Sequence, residues 1–138
     1  MTILVIDGQG GKLGRSLVET IRGEFPEVDL VAVGTNSMAT AAMMKGGAVR
    51  AATGENPVIV ACRSADIIVG PLGIAIADSL MGEISPAMAN AVAASRAQRV
   101  LIPMNRCDTL VAGVGERPMG ELIEDAVRRI VVLLKKAD

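Results

Sequence analysis

Short stretches of apolar, largely β-branched residues recur along this chain without alternating polar residues, and this pattern limits its fold more than any other feature. The first of them, residues 3–6, runs directly into Asp7 and a cluster of glycines. Strands that are covered on both faces have this pattern, whereas half-exposed strands alternate. The stretches are separated by segments of helical spacing, and this order favours a parallel sheet with helices on both faces. We therefore predict an α/β fold, a Rossmann-like three-layer sandwich with residues 3–6 as its central strand.

The same patterns predict the other strands and helices. The predicted strands are 3–6, 28–33, 49–52, 66–69 and 100–102, and the predicted helices are 13–24, 37–45, 56–63, 74–81, 85 to about 97, and one that starts at Pro118. Residues 109–114 are expected to form a shorter strand or an extended loop. No linker, repeat or low-complexity tract divides the chain, so we predict a single domain over residues 1–138.

The composition excludes several kinds of chemistry. The chain of 138 residues has a net charge of −1, no His, Tyr or Trp, and a single Phe. Ser-His-Asp and Cys-His catalysis, histidine metal sites and tyrosine acids are therefore absent, as are aromatic platforms for single-stranded nucleic acid. Without a basic block, a general nucleic-acid binder is not expected. Cys62 and Cys107 lack metal-ligand spacing and are expected in the core or at a pocket edge.

The expected location is the cytoplasm. Thr2 leads straight into the first strand, with no signal peptide before it, and the two isolated cysteines suit a reducing compartment. The apolar run at 67–77 is interrupted by Gly70, Pro71 and Gly73 and is too short to span a membrane, for which about 20 residues are needed. No membrane contact is predicted.

The glycine cluster after the first strand predicts an anion site. Gly8, Gly10, Gly11 and Gly14 fit either G-x-G-x-x-x-G or G-x-x-G-x-x-G. In either register, glycines allow a sharp strand-to-helix turn, a close approach of a phosphate to the backbone, and tight packing of the helix on the strand. The helix that follows offers free N–H groups to the anion. A tight turn without a ligand is the alternative.

This loop, "GQGGKLGR", resembles the N-terminal fingerprint of the dihydrodipicolinate reductases, in which G-x-x-G-x-M-G-R binds NAD(P). Gly8, Gly11, Gly14 and Arg15 match the pattern, with Leu13 in place of methionine. The resemblance implies NAD(P) binding. The histidine-rich catalytic segment of that family and the Tyr-x-x-x-Lys pair of short-chain reductases are absent, so neither catalytic mechanism is implied.

Over its whole length the chain resembles a family of short bacterial proteins known only as a domain of unknown function with a Rossmann-like fold. The stretches that carry the resemblance are "VIDGQGG", "GTNSMATAAM", "ATGENPVIV", "ADIIVGPLGI", "GEISPAMA" and "LIPMNRC". The resemblance implies the fold and no activity.

The end of the second strand bears on the choice of nucleotide. NAD-binding domains place an Asp or Glu there to bind the ribose hydroxyls, but this chain has Gly34 followed by Thr35, Asn36 and Ser37. Hydroxyls and an amide at a helix start suit a 2′-phosphate, so NADP is favoured and NAD is possible. Alternatively, Asn36 or Ser37 only caps the next helix.

Polar groups follow other strands as well, and the carboxyl ends of parallel strands meet at one edge of a sheet. Their convergence would form a polar pocket, from Asp7, Glu55, Asn56, Asn105 and Arg106. Asp7 and Glu55 would suit Mg²⁺ beside a phosphate, although no acidic motif supports a metal. The candidate ligand-binding residues are Gly8, Gln9, Gly10, Gly11, Lys12, Leu13, Gly14, Thr35, Asn36, Ser37, Gly70, Pro71 and Asn105.

The sequence is compatible with three functions. The first is a nucleotide-dependent enzyme or cofactor-binding protein, because hydride transfer between cofactors needs positioning more than side-chain acids. The second is a sensor that binds a nucleotide or anion and acts through a partner. The third is a structural homo-oligomer, suggested by the broad apolar face of the last helix, which includes Val132 and Leu133.

Overall fold

A five-stranded parallel sheet forms the centre of the computed structural model, which describes residues 1–104 and 108–137. Its strands are β1 (Thr2–Asp7), β2 (Asp29–Gly34), β3 (Arg50–Thr53), β4 (Ile67–Pro71) and β5 (Gln98–Ile102). Their order is β3-β2-β1-β4-β5, and every neighbouring pair is parallel. The predicted central position of the first strand is therefore confirmed.

Helices cover both faces of the sheet. They are α1 (Lys12–Glu24), α2 (Ser37–Lys45), α3 (Glu55–Ser64), α4 (Pro86–Ala94) and α5 (Met119–Ala137), with a short 3-10 helix at Leu72–Ala75. Ile3 and Val5 pack with α1, α2 and α5 on one face, while Leu4 and Ile6 pack with α3 and α4 on the other. All four side chains are fully buried, which explains why β1 has no polar alternation. The three-layer prediction is confirmed.

The predicted helix caps agree with the structure where local chemistry sets them. The Asn36 side chain accepts the N–H of Ala39 at 2.9 Å and starts α2, and Gly46 ends that helix. Ser85 accepts the N–H of Met88 at 3.2 Å and starts α4, with Pro86 in its first turn. That helix ends at Ala94, three residues before the predicted end at 97.

The predicted helix at 74–81 is wrong. Only the 3-10 helix at Leu72–Ala75 forms, and Asp78, Leu80 and Met81 have positive φ. Ile74 and Leu80 are both buried, but a spacing of six residues sets them about 120° apart on a helix. Because both side chains pack in the same part of the core, the segment between them cannot continue as one regular helix and forms a turn. We call residues 78–84 the β4–α4 turn.

Residues 109–114 form no strand. Val114 donates its N–H to the Val111 carbonyl at 3.2 Å, and Gly113 has φ of 83°, so this segment is a loop that contains a turn and is not extended throughout. In α5, Leu133 packs on the core and Val132 is exposed. Because part of the apolar face is used within the chain, self-association through α5 stays a prediction. Within the described ranges, no helix has both the length and the apolar character needed to cross a membrane.

Candidate functional site

The glycine loop, residues 8–11, joins β1 to α1 at the carboxyl edge of the sheet. From β1 the chain proceeds through β2 to β3 on one side, then returns to place β4 on the other side of β1. The strand order thus reverses between β1 and β4. In open α/β sheets this switch point is where ligands bind.

Three glycines around this loop are required by packing. At Gly11, where φ is 73°, an added Cβ would lie 2.7 Å from Ala39 Cα in α2. At Gly14 it would lie 2.7 Å from Asp7 Cβ, and at Gly8 it would lie 2.7 Å from Thr35 Oγ1. These glycines let α1 and the loop approach β1, β2 and α2.

Gly10 differs from the other three. It has no positive φ, an added Cβ would meet nothing within 4 Å, and the residue is exposed. Neither backbone conformation nor packing therefore accounts for a glycine here. An approach of a ligand to the backbone would account for it.

Backbone N–H groups without an acceptor occur at Gly10 and at the start of α1. Among the residues that the structure describes, the N–H groups of Gly10, Lys12 and Leu13 have no hydrogen-bond acceptor, whereas Gly11 donates to the Gly8 carbonyl at 2.9 Å. Lys12 is the exposed first residue of α1. Free N–H groups at the positive end of a helix dipole attract anions.

Asp7, the last residue of β1, stabilises this loop through hydrogen bonds. Its buried carboxylate accepts the N–H of Gly8 at 2.8 Å and that of Gly14 at 2.6 Å. Burial raises the pKa of Asp7, although the two N–H donors act in the opposite direction, and the charge of Glu83 raises it further. Asp7 thus has an internal role and holds no position in an open polar pocket.

Glu83, in the β4–α4 turn, joins the two loops that follow β1 and β2. Its Oε1 accepts the N–H of Gln9 at 2.9 Å, the Thr35 hydroxyl at 2.6 Å and the Asn36 amide at 2.8 Å. Asn36 also donates to the Gln9 carbonyl at 3.0 Å. Asn36 therefore caps α2 through Oδ1 and links Glu83 to the glycine loop through its amide nitrogen, and a contact of this residue with a phosphate stays a prediction.

The hydrogen bonds of Glu83 outweigh its partial burial. Burial acts to raise the pKa of this carboxyl, but the Thr35, Gln9 and Asn36 donors together hold the pKa below its ordinary value. The carboxylate is therefore ionised at neutral pH. Sequence reasoning missed Glu83, and the only signal for it was the absence of an acid after β2.

We expect Glu83→Gln to lower the free energy of unfolding by about 1 kcal/mol at pH 7, since an isosteric amide keeps the acceptor and loses the charge. Because the folded pKa is lowered, the stabilisation is present above the unfolded pKa of about 4.3 and is lost as the pH falls through the folded value. Urea denaturation of both proteins from pH 7 to pH 3 checks this. A difference that does not shrink at acid pH would contradict it.

The remaining candidate residues are more dispersed. Ser37 is exposed at the start of α2, and Gly70 and Pro71 are buried at the end of β4, where a Cβ at Gly70 would collide with the Ile6 carbonyl. Gly70 is thus explained by strand packing. Asn105, with Arg106 and Cys107, lies outside the described residues.

The pair of Asp7 and Glu55, which the sequence offered only as an option for Mg²⁺, does not form. Glu55 accepts the Ser85 hydroxyl at 2.5 Å, and Asp7 bonds to the loop amides. Among the described residues there is no cluster of three or more His, Cys, Asp or Glu that would hold a metal ion. Cys62 is buried in the core, and burial raises the pKa of its thiol to about 11, so it is not a nucleophile.

A groove of about 720 Å³ lies elsewhere, between β5 and α5. Its walls include Leu101, Arg117 and Leu133, and it shares no residue with the glycine loop. Two of its arginines are engaged, since Arg99 donates to the Ser95 carbonyl at 2.8 Å and Arg129 to Asp125 at 2.8 Å. The chemistry of the glycine loop therefore does not depend on this groove.

The fold and the site define an α/β protein with a Rossmann-like parallel sheet and a glycine loop at its switch point. The chain matches, over residues 2–135, the model of the family described as "Domain of unknown function (DUF3842)", and it belongs to that family. No curated protein and no solved structure matches it. The family match carries no activity.

Proposed function

We propose that this protein binds a phosphate-bearing nucleotide, with a phosphate seated on the backbone N–H groups of the glycine loop and the start of α1. The observation that carries the proposal is Gly10. It is the glycine of this loop that packing does not require, and it lies beside the free donors of Lys12 and Leu13. A phosphate uses those donors, and a side chain at Gly10 would compete for the same space.

An adenine dinucleotide suits this position best. The loop lies at the switch point between β1 and β4, where a pyrophosphate bridges the carboxyl ends of the two halves of such sheets. The match of Gly8, Gly11 and Gly14 to a NAD(P) fingerprint points to the same ligand class. The sequence favours NADP within this class because Thr35, Asn36 and Ser37 follow β2 in place of an acid.

We propose that this site binds a nucleotide, and we assign no reaction to it. The two carboxylates beside the loop accept hydrogen bonds from the protein itself, Asp7 through both oxygens and Glu83 through Oε1. They brace the loop, and a bound cofactor would itself supply any hydride chemistry. Cofactor carriage and sensing both use this binding step.

We expect isothermal titration of the purified protein to detect an adenine dinucleotide, with NAD, NADP, ADP and inorganic phosphate as the ligands tested. A nucleoside diphosphate such as ADP should bind more tightly than inorganic phosphate, because its ribose and base make contacts in addition to those of the phosphate. Thermal denaturation with each ligand gives an independent readout, since binding to the folded state raises the melting temperature. No binding of any nucleotide at millimolar concentration would overturn the proposal and leave the loop as a turn.

A further inference from the structure

Glu83 lies where Rossmann domains hold the acid that binds ribose. In those domains an Asp or Glu at the end of the second strand accepts the ribose hydroxyls. Here residues 34–37 contain no acid. Glu83 instead reaches this place from the β4–α4 turn, with Oε1 bonded to Thr35 and Asn36, the two residues that follow β2.

The carboxylate is also adjacent to the glycine loop. Oε1 accepts the Gln9 N–H at 2.9 Å and lies 3.0 Å from the position that a Cβ would take on Gly8. All three hydrogen bonds fall on Oε1, and within the described part of the chain Oε2 accepts none. One acceptor oxygen therefore remains beside the loop.

We propose that Glu83 accepts the hydroxyls of the ribose of a nucleotide bound on the glycine loop, so that the ligand is one with a free 2′,3′-diol. This inference rests on the proposed function. An ionised carboxylate is acceptor-only and matches two hydroxyl donors. A 2′-phosphate brings no matching donor, and its charge is repelled. NAD and ADP are therefore expected to bind in preference to NADP, the reverse of the preference drawn from the residues after β2.

The β4–α4 turn holds Glu83 in place. Leu80 and Ile84 are buried on either side of it, and the Asp78 N–H donates to the Ile84 carbonyl at 2.7 Å. The Ser79 hydroxyl also donates to the Gly73 carbonyl. Because both ends of the turn are anchored, the carboxylate is fixed before a ligand arrives. A fixed acceptor suits recognition of a diol.

The first test uses the wild-type protein alone, so it does not depend on the folding of a variant. Isothermal titration with NAD and NADP, and with ADP and 2′-deoxy-ADP, compares ligands that differ only at the ribose. We expect NAD to bind at least about tenfold more tightly than NADP, and ADP about tenfold more tightly than 2′-deoxy-ADP, the usual effect of one charge-assisted hydrogen bond. Equal affinities within both pairs would overturn the inference, yet the proposed function would stand because nucleotides still bind.

The second test compares Glu83→Gln with Glu24→Gln, an equal change of charge at an exposed site at the far end of α1. We expect Glu83→Gln to lose about tenfold in NAD affinity and most of the discrimination against NADP, and Glu24→Gln to change neither. If Glu83→Gln binds both dinucleotides more tightly, Glu83 obstructs the site and the inference fails. If the wild type binds no nucleotide, the proposed function fails with it.

Discussion

Replacing Gly10 with valine should reduce nucleotide affinity by at least about 100-fold, the effect of losing two charge-assisted hydrogen bonds. An added Cβ at this residue meets nothing within 4 Å, and the free N–H groups of Gly10 and Lys12 belong to the same loop and helix start. In the proposal, the open space beside Gly10 holds the phosphate. Isothermal titration with NAD or ADP measures the loss.

The fold of Gly10→Val should be intact, because Gly10 has neither positive φ nor a neighbour to displace. We expect its melting temperature to lie within about 3 °C of the wild type, which corresponds to less than 1 kcal/mol. Gly23→Val is a matched control, since Gly23 is equally open but lies near the far end of α1. Wild-type nucleotide affinity in Gly10→Val would show that the phosphate does not sit on the loop.

Replacing the next residue, Gly11, with alanine should instead destabilise the fold by about 3 kcal/mol or more. Gly11 has φ of 73°, and its Cβ would lie 2.7 Å from Ala39 Cα and 2.8 Å from the Ala39 carbonyl oxygen. Both are backbone atoms of α2 and cannot rotate away. The helix must move, and it would carry Met43 out of the core.

Urea denaturation measures this effect, and Gly10→Ala is its control. The control adds the same methyl group one residue earlier in open space, so its stability should stay within about 0.5 kcal/mol of the wild type. Gly11→Ala with wild-type stability would mean that α1 and α2 are not packed as closely as described. The pair of variants separates a glycine required by packing from one explained by a ligand.

Much of the fold was predictable because its causes are local or periodic. Unbroken apolar runs such as residues 3–6 predicted strands covered on both faces, and both faces are covered. Asn36 and Ser85 start helices because their side chains accept N–H groups only a few residues away. The position of the glycine loop after β1 followed from the same order of elements.

Close packing of α1 on β1 was predicted and occurs at Gly14, but the contact of Gly11 with α2 was not predictable, because it depends on which backbone lies nearby. Gly11 and Gly10 are adjacent in sequence, yet only Gly11 faces α2 at contact distance. The predicted helix at 74–81 failed for a similar reason. Burial of both Ile74 and Leu80 against α3 and α4 outweighed local helix propensity.

The sequence by itself determined the alternation of strands and helices, the caps, and a glycine loop at the first strand-to-helix turn. Only the tertiary structure decided which carboxylate stands at the end of β2. Glu83 is 47 residues from Asn36 along the chain, and their 2.8 Å hydrogen bond exists because the β4–α4 turn folds back over the switch point. The spacing of a motif predicts contacts within one element. The hydrogen bond between Glu83 and Asn36 depends instead on sheet order and on the burial of Leu80 and Ile84.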